Sequence, residues 1–345
     1  MEDFFDTPPT PLWHLRHLAA ELGLGDILLK DESTRMGLNS FKILGVSYAI
    51  HRLLEAGAIN RTAVLACATE GNHGLAVARA AREHSLSAMV YVPGDLKDAR
   101  VKTLEREGAQ VVKVDGDYDD AVRMLSREAS LNQWTIISDT SWPGYEEVPH
   151  AIMAGYTHLM VEAVHQLLPD SPPDVVIVQA GVGGLAGAVM SWLCHRYGTD
   201  RPFTILCEPK SADCFLESAS AGNLVLRQGP FDTIMAGLRC GEPSAIAWPV
   251  IASSVDAFVS IEDDWVRRAM KFLAHPSHDD PVVTAGASGA CGLATLLAIL
   301  QDSQLRQLCE ESGIGPKSRV LVVNTEGATD PELYERIMKA ESNEI

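Results

Sequence analysis

Three short segments hold residue types and spacings that could do chemistry. The first is the polar run Lys30-Asp31-Glu32-Ser33-Thr34-Arg35-Met36-Gly37-Leu38-Asn39-Ser40-Phe41-Lys42, which precedes the helical pattern ILGVSYAIHRLLEAG. A lysine at a helix start is electrostatically misplaced, because that end of a helix favours anions. Lys42 therefore reads as functional: burial or a helix N-terminus lowers the basicity of an amine, as a Schiff-base lysine requires. The second is Thr69-Glu70-Gly71-Asn72-His73-Gly74, after the apolar run AVLACA. Its two glycines bracket Asn72 and His73 and let backbone approach a ligand closely, although His73 alone is more often a capping or supporting residue than a base. The third is Ala180-Gly181-Val182-Gly183-Gly184-Leu185, between VVIVQ and LAGAVMSWL. Bare N–H groups at a helix start form a cradle for phosphate. A rival reading takes Gly181, Gly183 and Ala186 as a dinucleotide fingerprint, with Glu208 as the ribose acid of a nicotinamide enzyme. That alternative leaves the first two segments without a role.

The elements that must position these loops repeat a simple unit of apolar strand, glycine-rich break and helix, as in 62–84, 109–129 and 174–198. Further strand-like runs are 87–94, 134–139, 203–209, 256–261 and 319–327. Val/Ile/Leu runs without polar alternation suit strands covered on both faces, as in parallel sheets. The fold class is α/β with open sheets, and ligands of such sheets bind beyond the carboxyl ends of strands. Two composition breaks, 168–174 and 57–60, mark candidate seams.

Length and charge exclude other classes. The 345 residues suffice for two domains, and 46% hydrophobic with 21% charged residues is a globular balance. Lys and Arg total 28 against 46 Asp and Glu, a net −18, which opposes a nucleic-acid partner. No apolar run reaches the roughly 20 residues of a membrane span, and the opening residues lack a signal-peptide pattern. The seven cysteines show no C-x-x-C spacing, which points to a reducing, cytoplasmic setting. Cys214 and Cys240 flank a polar stretch and are candidates to approach each other and pair. His275-Pro276-Ser277-His278 fits a solvated loop better than a metal pair, so no metal is expected.

Together the three segments resemble the tryptophan-synthase-β type of pyridoxal-phosphate enzymes, fold type II. Asn39-Ser40-Phe41-Lys42 is similar to that family's Schiff-base motif, 69–74 to its Ser/Thr-x-Gly-Asn-His loop, and 181–185 to its phosphate loop. More narrowly, the chain resembles the diaminopropionate ammonia-lyases through Lys30-Asp31-Glu32-Ser33, Asp139-Thr140-Ser141-Trp142 with Gly144-Tyr145-Glu146-Glu147, Thr233 to Leu238 with Cys240-Gly241-Glu242-Pro243, and Asn324-Thr325-Glu326-Gly327. The likeness spans about residues 9–335. It implies two open twisted, mostly parallel sheets flanked by helices. A smaller domain, 59–153, is set into a larger pyridoxal-phosphate domain of 1–58 and 154–345.

The resemblance also implies roles. Lys42 carries pyridoxal 5′-phosphate and acts as base, with Glu70 and Asp139 as further catalytic groups. Phe41, Asn72, Gly181, Val182, Gly183, Gly184, Leu185 and Thr325 bind the cofactor, Asn72 at its 3′-oxygen and Thr325 at its ring nitrogen. Thr69, Glu70, Gly71, His73, Asp139 and Tyr145 meet a small amino acid substrate, and a homodimer without membrane or nucleic-acid partners is expected. Two positions depart from the family pattern. Glu70 stands where the family has Asp, one C–C bond of about 1.5 Å longer, so turnover of a D-isomer is not implied. Ala287 stands where the family has Glu, which leaves the substrate open. The expected activity is elimination of ammonia from 2,3-diaminopropionate. A β-hydroxy amino acid dehydratase, a β-replacement synthase and a cofactor-binding protein without turnover are the alternatives.

Overall fold

The computed structural model describes residues 4, 5, 7–69, 71–167 and 172–340. Glu70 and most of the 168–174 seam lie outside the described residues. The chain forms two compact units, one built on Phe41–Tyr156 and one on the described parts of Asp6–Ser40 and Thr157–Ile345.

The larger unit begins with β1 (Leu12–His14), α1 (Arg16–Glu21) and β2 (Asp26–Asp31). The smaller unit follows in sequence as α2 (Lys42–Glu55), β3 (Val64–Ala68), α3 (Asn72–Glu83), β4 (Ser87–Pro93), α4 (Asp98–Arg106), β5 (Ala109–Val114), α5 (Tyr118–Asn132), β6 (Thr135–Ile136) and α6 (Glu147–Tyr156). The larger unit resumes with α7 (His158–Gln166), β7 (Val175–Gln179), α8 (Gly184–Tyr197), β8 (Phe203–Pro209), α9 (Cys214–Ala221), α10 (Trp248–Ser254) and β9 (Ala257–Ile261). It closes with α11 (Asp263–Ala274), α12 (Cys291–Gln301), α13 (Arg306–Glu311), β10 (Arg319–Asn324) and α14 (Pro331–Lys339).

The smaller unit carries a parallel sheet ordered β5-β4-β3-β6. The larger carries β1-β2-β10-β7-β8-β9, parallel except for β1 against β2. The apolar strands are buried as their composition predicts; all of VVIVQ in β7 is enclosed. Helix α12, apolar almost all round, is buried nearly throughout and packs against β7 to β10. Helix α11 instead buries one stripe, Val266, Ala269, Met270 and Leu273, the 3.6-residue period of a surface helix.

The unit boundaries differ from those read in the sequence. The expected division near 58 falls at 40/41, because α2 packs on α3 and α6 and so belongs to the smaller unit. Gly45 and Gly155 make that packing possible: a Cβ on Gly45 would lie 2.5 Å from Tyr156 Cε1, and one on Gly155 2.6 Å from the Leu44 carbonyl oxygen. Residues 57–60 are a turn within the smaller unit.

The polar run 30–35 is the larger surprise, since its charges are enclosed rather than solvated. Lys30, Glu32 and Arg35 are at most 1% exposed. Arg35 donates from Nε and Nη2 to Glu32 (2.7 and 2.8 Å) and from Nη1 and Nη2 to Glu162 on α7 (2.7 and 2.6 Å). Lys30 donates to Glu162 Oε2 and to the Thr10 carbonyl, both at 2.6 Å. Two cations meet two carboxylates, so burial leaves no net charge. Burial opposes ionisation of Glu162, yet His158, Arg35 and Lys30 outweigh it and hold the carboxyl well below its usual range.

Removing one partner of such a cluster strands the others. Glu162→Gln is expected to cost about 3–5 kcal/mol of unfolding free energy at neutral pH, measured by urea denaturation. Because the folded-state value is depressed, the Glu162 contribution is present above the unfolded value of about 4.3 and fades as pH falls. The gap between wild type and variant should therefore narrow in acid.

Candidate active site

In the smaller unit, Lys42 is the first residue of α2, where no acidic side chain occupies the first turn. Its Nζ instead donates to Asp139 Oδ2 at 2.5 Å. Asp139 follows β6, and the loop that carries it is held by Tyr145, whose hydroxyl accepts from the Ser138 N–H (2.9 Å) and donates to the Ile136 carbonyl (2.8 Å). That hydroxyl takes the place of a ladder partner, and β6 is accordingly only two residues long. Tyr145 also stacks on Trp142 at 4.0 Å between centroids. Burial raises the Asp139 carboxyl, but the charges of Lys42 and His73 prevail and hold it well below the usual carboxylate range. These neighbouring charges thus favour the ionised form of Asp139.

The glycine-bracketed loop converges on the same place. His73 on α3 donates from Nε2 to the Ile137 carbonyl at 2.8 Å, which leaves Nδ1 buried, without a hydrogen bond and 3.8 Å from Asp139 Oδ2. Thr69 Oγ1 accepts from the N–H groups of Gly71 and Gly74 (3.0 and 3.3 Å) and so fixes the loop that starts α3. Asn72 is the first residue of that helix. Phe41 lies under the amine, 5.3 Å from Nζ to its ring centroid. Lys42, Asp139, His73, Thr69, Tyr145 and Phe41 are therefore gathered in one unit.

In the larger unit, β7 runs into the glycine loop and α8. Gly183 caps α8 with φ +93°, and no side chain caps that end and no acid stands in its first turn. The contrast is α5, where Asp117 and Asp120 form a full capping box. The first N–H groups of a helix lack intrahelical partners, so the start of α8 suits an external anion. Thr325, just past β10, accepts from Gln179 Nε2 at 3.2 Å and keeps its own proton to give to an acceptor. Gln179 ends β7 and also donates to the carbonyls of Ser288 (2.9 Å) and Val323 (3.0 Å). These three acceptors, with the Gly289 carbonyl at 3.4 Å, surround one amide nitrogen and fix its orientation. Ala287 is enclosed in the core, and Ser288 Oγ accepts from the Gly237 N–H at 3.0 Å.

Two alternatives that the sequence left open are closed here. The pairing weighed for Cys214 and Cys240 is not formed: neither is in a disulfide, and the thiol of Cys214 turns to Glu208 Oε1 at 3.7 Å. Glu208, the ribose acid of the nicotinamide reading, accepts from the N–H groups of Phe215 and Leu216, both at 2.9 Å, and is fully buried. Burial pushes its carboxyl up to about 8, so it is committed to the start of α9. His278 is exposed beside Glu21 and His17. Among the described residues no group of three or more His, Cys, Asp or Glu is arranged to hold a metal, and no helix is long and apolar enough to cross a membrane.

Each unit taken by itself thus carries features of known chemistry: the smaller an amine beside a carboxylate, the larger an uncapped glycine-rich helix start and a hydroxyl with a proton to donate. The family model described as pyridoxal-phosphate dependent enzyme matches residues 5–326. The chain belongs to that family. Diaminopropionate ammonia-lyase of Escherichia coli (strain K12) is 38% identical over 346 residues, 96% of this chain and 87% of that protein. The enzyme of the same description from Salmonella typhimurium is 39% identical over 95% of this chain and 87% of its own length. The crystal structure of the E. coli enzyme in complex with an aminoacrylate-PLP azomethine reaction intermediate superposes with a TM-score of 0.91 at 37% identity, covering 98% of this chain and 89% of that one. Maize serine racemase, at 23% identity and a TM-score of 0.78, shares the fold. This pyridoxal-phosphate enzyme has both sheets parallel in the manner the sequence predicted, β1 excepted.

Sequence reading did not find Gln179 or Tyr156. The signal for Gln179 was present, as a polar residue closing an otherwise apolar strand. Tyr156 ends the run EVPHAIMAGY, whose apolar character reads as core.

Gly183 permits one direct check. An Ala there meets a left-handed φ and sets a Cβ 2.3 Å from Phe215 Cζ, a ring that is itself fully buried. Gly183→Ala is expected to lose about 1–3 kcal/mol of stability, visible as a lower urea midpoint.

Proposed function

We propose that the protein is a carbon-nitrogen lyase that eliminates ammonia from 2,3-diaminopropionate to give pyruvate and ammonia. The observation that carries this reading is the Lys42–Asp139 pair, set in a chain so similar over its length to diaminopropionate ammonia-lyase. Pyridoxal phosphate, when bound, supplies an electron sink for the charge that develops at Cα.

The residues divide the remaining work. Lys42 holds the cofactor at its aldehyde carbon, with Phe41 against it. The N–H groups of Gly181, Val182, Gly183, Gly184 and Leu185 take the phosphate, Asn72 the 3′-oxygen, and Thr325 donates to the ring nitrogen. A hydroxyl there could donate to that nitrogen without requiring it to be protonated. Once the amino acid has released it, the Lys42 amine takes the α-proton. The electron pair left at Cα forms the α,β double bond as the bond from Cβ to nitrogen breaks. The enamine set free takes up one water, so that each substrate yields pyruvate and two ammonia molecules.

Recognition of so small a substrate rests on charge. Asp139 stays ionised and suits the β-ammonium group of a diamino acid, and Glu70, outside the described residues, is the second acid toward the substrate. Thr69, Gly71 and His73 of the fixed loop face the rest of it, while Tyr145 acts by holding the segment that bears Asp139. We further assign the protein to the cytoplasm, on its seven cysteines without C-x-x-C spacing or a disulfide, and to a homodimer, on its family.

Keto acid release by the cofactor-loaded protein tests this, with L- and D-2,3-diaminopropionate, L-serine, L-threonine and β-hydroxyaspartate side by side. Release from L-diaminopropionate above all others is expected, and Lys42→Ala should abolish it. Asp139→Asn should lower the preference for diaminopropionate over serine by about 10- to 150-fold, the worth of one charge-assisted hydrogen bond of about 1.5–3 kcal/mol. Release only from a hydroxy amino acid makes the protein a dehydratase. Release only with an added nucleophile makes it a β-replacement synthase.

A further inference from the structure

Gln179 ends β7 in the core of the larger unit, and its side-chain amide is surrounded unevenly. Nε2 donates to the carbonyls of Ser288 (2.9 Å) and Val323 (3.0 Å), has the Gly289 carbonyl at 3.4 Å, and reaches Thr325 Oγ1 at 3.2 Å. Oε1, on the other side of the amide, is buried without a hydrogen-bond partner. A buried acceptor without a donor is costly, and the backbone enforces that cost here. An amide turned the other way would set Oε1 against three carbonyl oxygens, acceptor against acceptor. The N–H side of Gln179 therefore faces Thr325, which is itself buried one residue past β10, the strand next to β7. A threonine hydroxyl has one proton and two lone pairs. The amide engages a lone pair and repels the proton, so the Thr325 O–H points away from Gln179.

We propose that Gln179 is a positioning residue that fixes the direction of the Thr325 O–H, and so makes Thr325 select a cofactor ring nitrogen that is unprotonated. This rests on the reading above in which Thr325 meets that nitrogen. A hydroxyl by itself selects nothing: turned one way it donates to a bare nitrogen, and turned the other it accepts from a protonated one. A carboxylate behind the hydroxyl would draw its proton and favour the second arrangement. An amide nitrogen held by three backbone carbonyls favours the first. Neither the amide nor the carbonyls that hold it titrate, so the choice does not change with pH. The same argument explains why a polar residue closes an otherwise apolar, fully buried strand: the amide is there for its direction, at the expense of its own unpaired oxygen.

The test reads the bound cofactor directly. The full chain is loaded with pyridoxal phosphate labelled with nitrogen-15 in the ring, whose magnetic resonance signal separates a protonated from an unprotonated nitrogen. Wild type should show the unprotonated signal from mildly acidic to mildly alkaline pH. Gln179→Glu keeps the size of the side chain and puts an acceptor where Nε2 stands, so the Thr325 proton turns to it and the signal should move to the protonated position. Gln179→Met keeps the length and only removes the donor, and it decides the matter if the glutamate variant does not fold. Its readout is the ratio of dissociation constants for pyridoxal phosphate and for the analogue with C–H in place of the ring nitrogen, measured beside Thr325→Val. Wild type should prefer the natural cofactor by about 5- to 100-fold, because the analogue leaves a buried hydroxyl without an acceptor. The preference should fall by about 2- to 10-fold in Gln179→Met, the scale of one oriented hydrogen bond, and vanish in Thr325→Val. A general loosening of the fold weakens both ligands alike and leaves the ratio where it was. An unprotonated signal in Gln179→Glu, or the wild-type ratio in Gln179→Met, overturns the inference and leaves the assignment of Thr325 standing. A wild type that shows no preference, or a protonated ring, overturns that assignment and the inference with it. Neither readout needs turnover, so pyruvate release by wild type decides the lyase reading separately.

Discussion

A cationic amine placed at the start of a helix meets the positive end of the helix dipole, and it stays there only if something of opposite charge is closer. In this protein that something is Asp139, 2.5 Å from Lys42 Nζ. Much of the smaller unit can be understood as what it takes to keep these two side chains together. Tyr145 replaces a strand partner so that the chain beyond β6 turns with Asp139 inward. Thr69 ties the loop that brings α3, and with it His73, to the same carboxylate. Gly45 and Gly155 let α2 and α6 touch backbone to backbone, which sets Tyr156 beside the amine. Removing the carboxylate would leave the amine against both a helix dipole and an apolar floor of aromatic rings.

The larger unit handles charge differently. Its buried cations and carboxylates, Lys30, Arg35, Glu32 and Glu162, are saturated by one another. They have no spare hydrogen-bonding capacity for a ligand and act as a scaffold under β2 and α7. The donors it presents at the ends of β7 and β10 are instead neutral and oriented: the first N–H groups of α8 and the proton of Thr325. Gln179 links these two features, since it ends the strand that leads into the glycine loop and donates to the threonine hydroxyl. A neutral donor of this kind suits a nitrogen that accepts.

How far all this was legible in the sequence depended on how local the cause was. The eight strands read from apolar runs are present because a strand covered on both faces needs nothing but continuous apolar residues. The glycine loop was legible because strand, glycines and helix are adjacent in the chain. Asp139 was named only by resemblance; its partner is 97 residues away, and no pattern in the sequence carries that distance. The run 30–35 showed in the sequence only as polar; its enclosure depends on Glu162, which arrives from α7 and is not adjacent in the chain. The division placed near 58 missed because α2 was judged by its neighbours in sequence, while its packing partners α3 and α6 decide where it belongs. Tyr156 was invisible for a similar reason: a tyrosine at the end of an apolar helix is core by pattern, and only its place beside the Lys42 amine marks it.

The central claim is that Lys42, and not another amine, is the chemical centre. Reduction of the cofactor-loaded protein with borohydride, followed by digestion and mass spectrometry, fixes the cofactor to whichever lysine held it. The account predicts the phosphopyridoxyl mass on the peptide containing Lys42 and on no other. Finding it on Lys30, which is buried in its ion pairs, or spread over surface lysines would contradict the account.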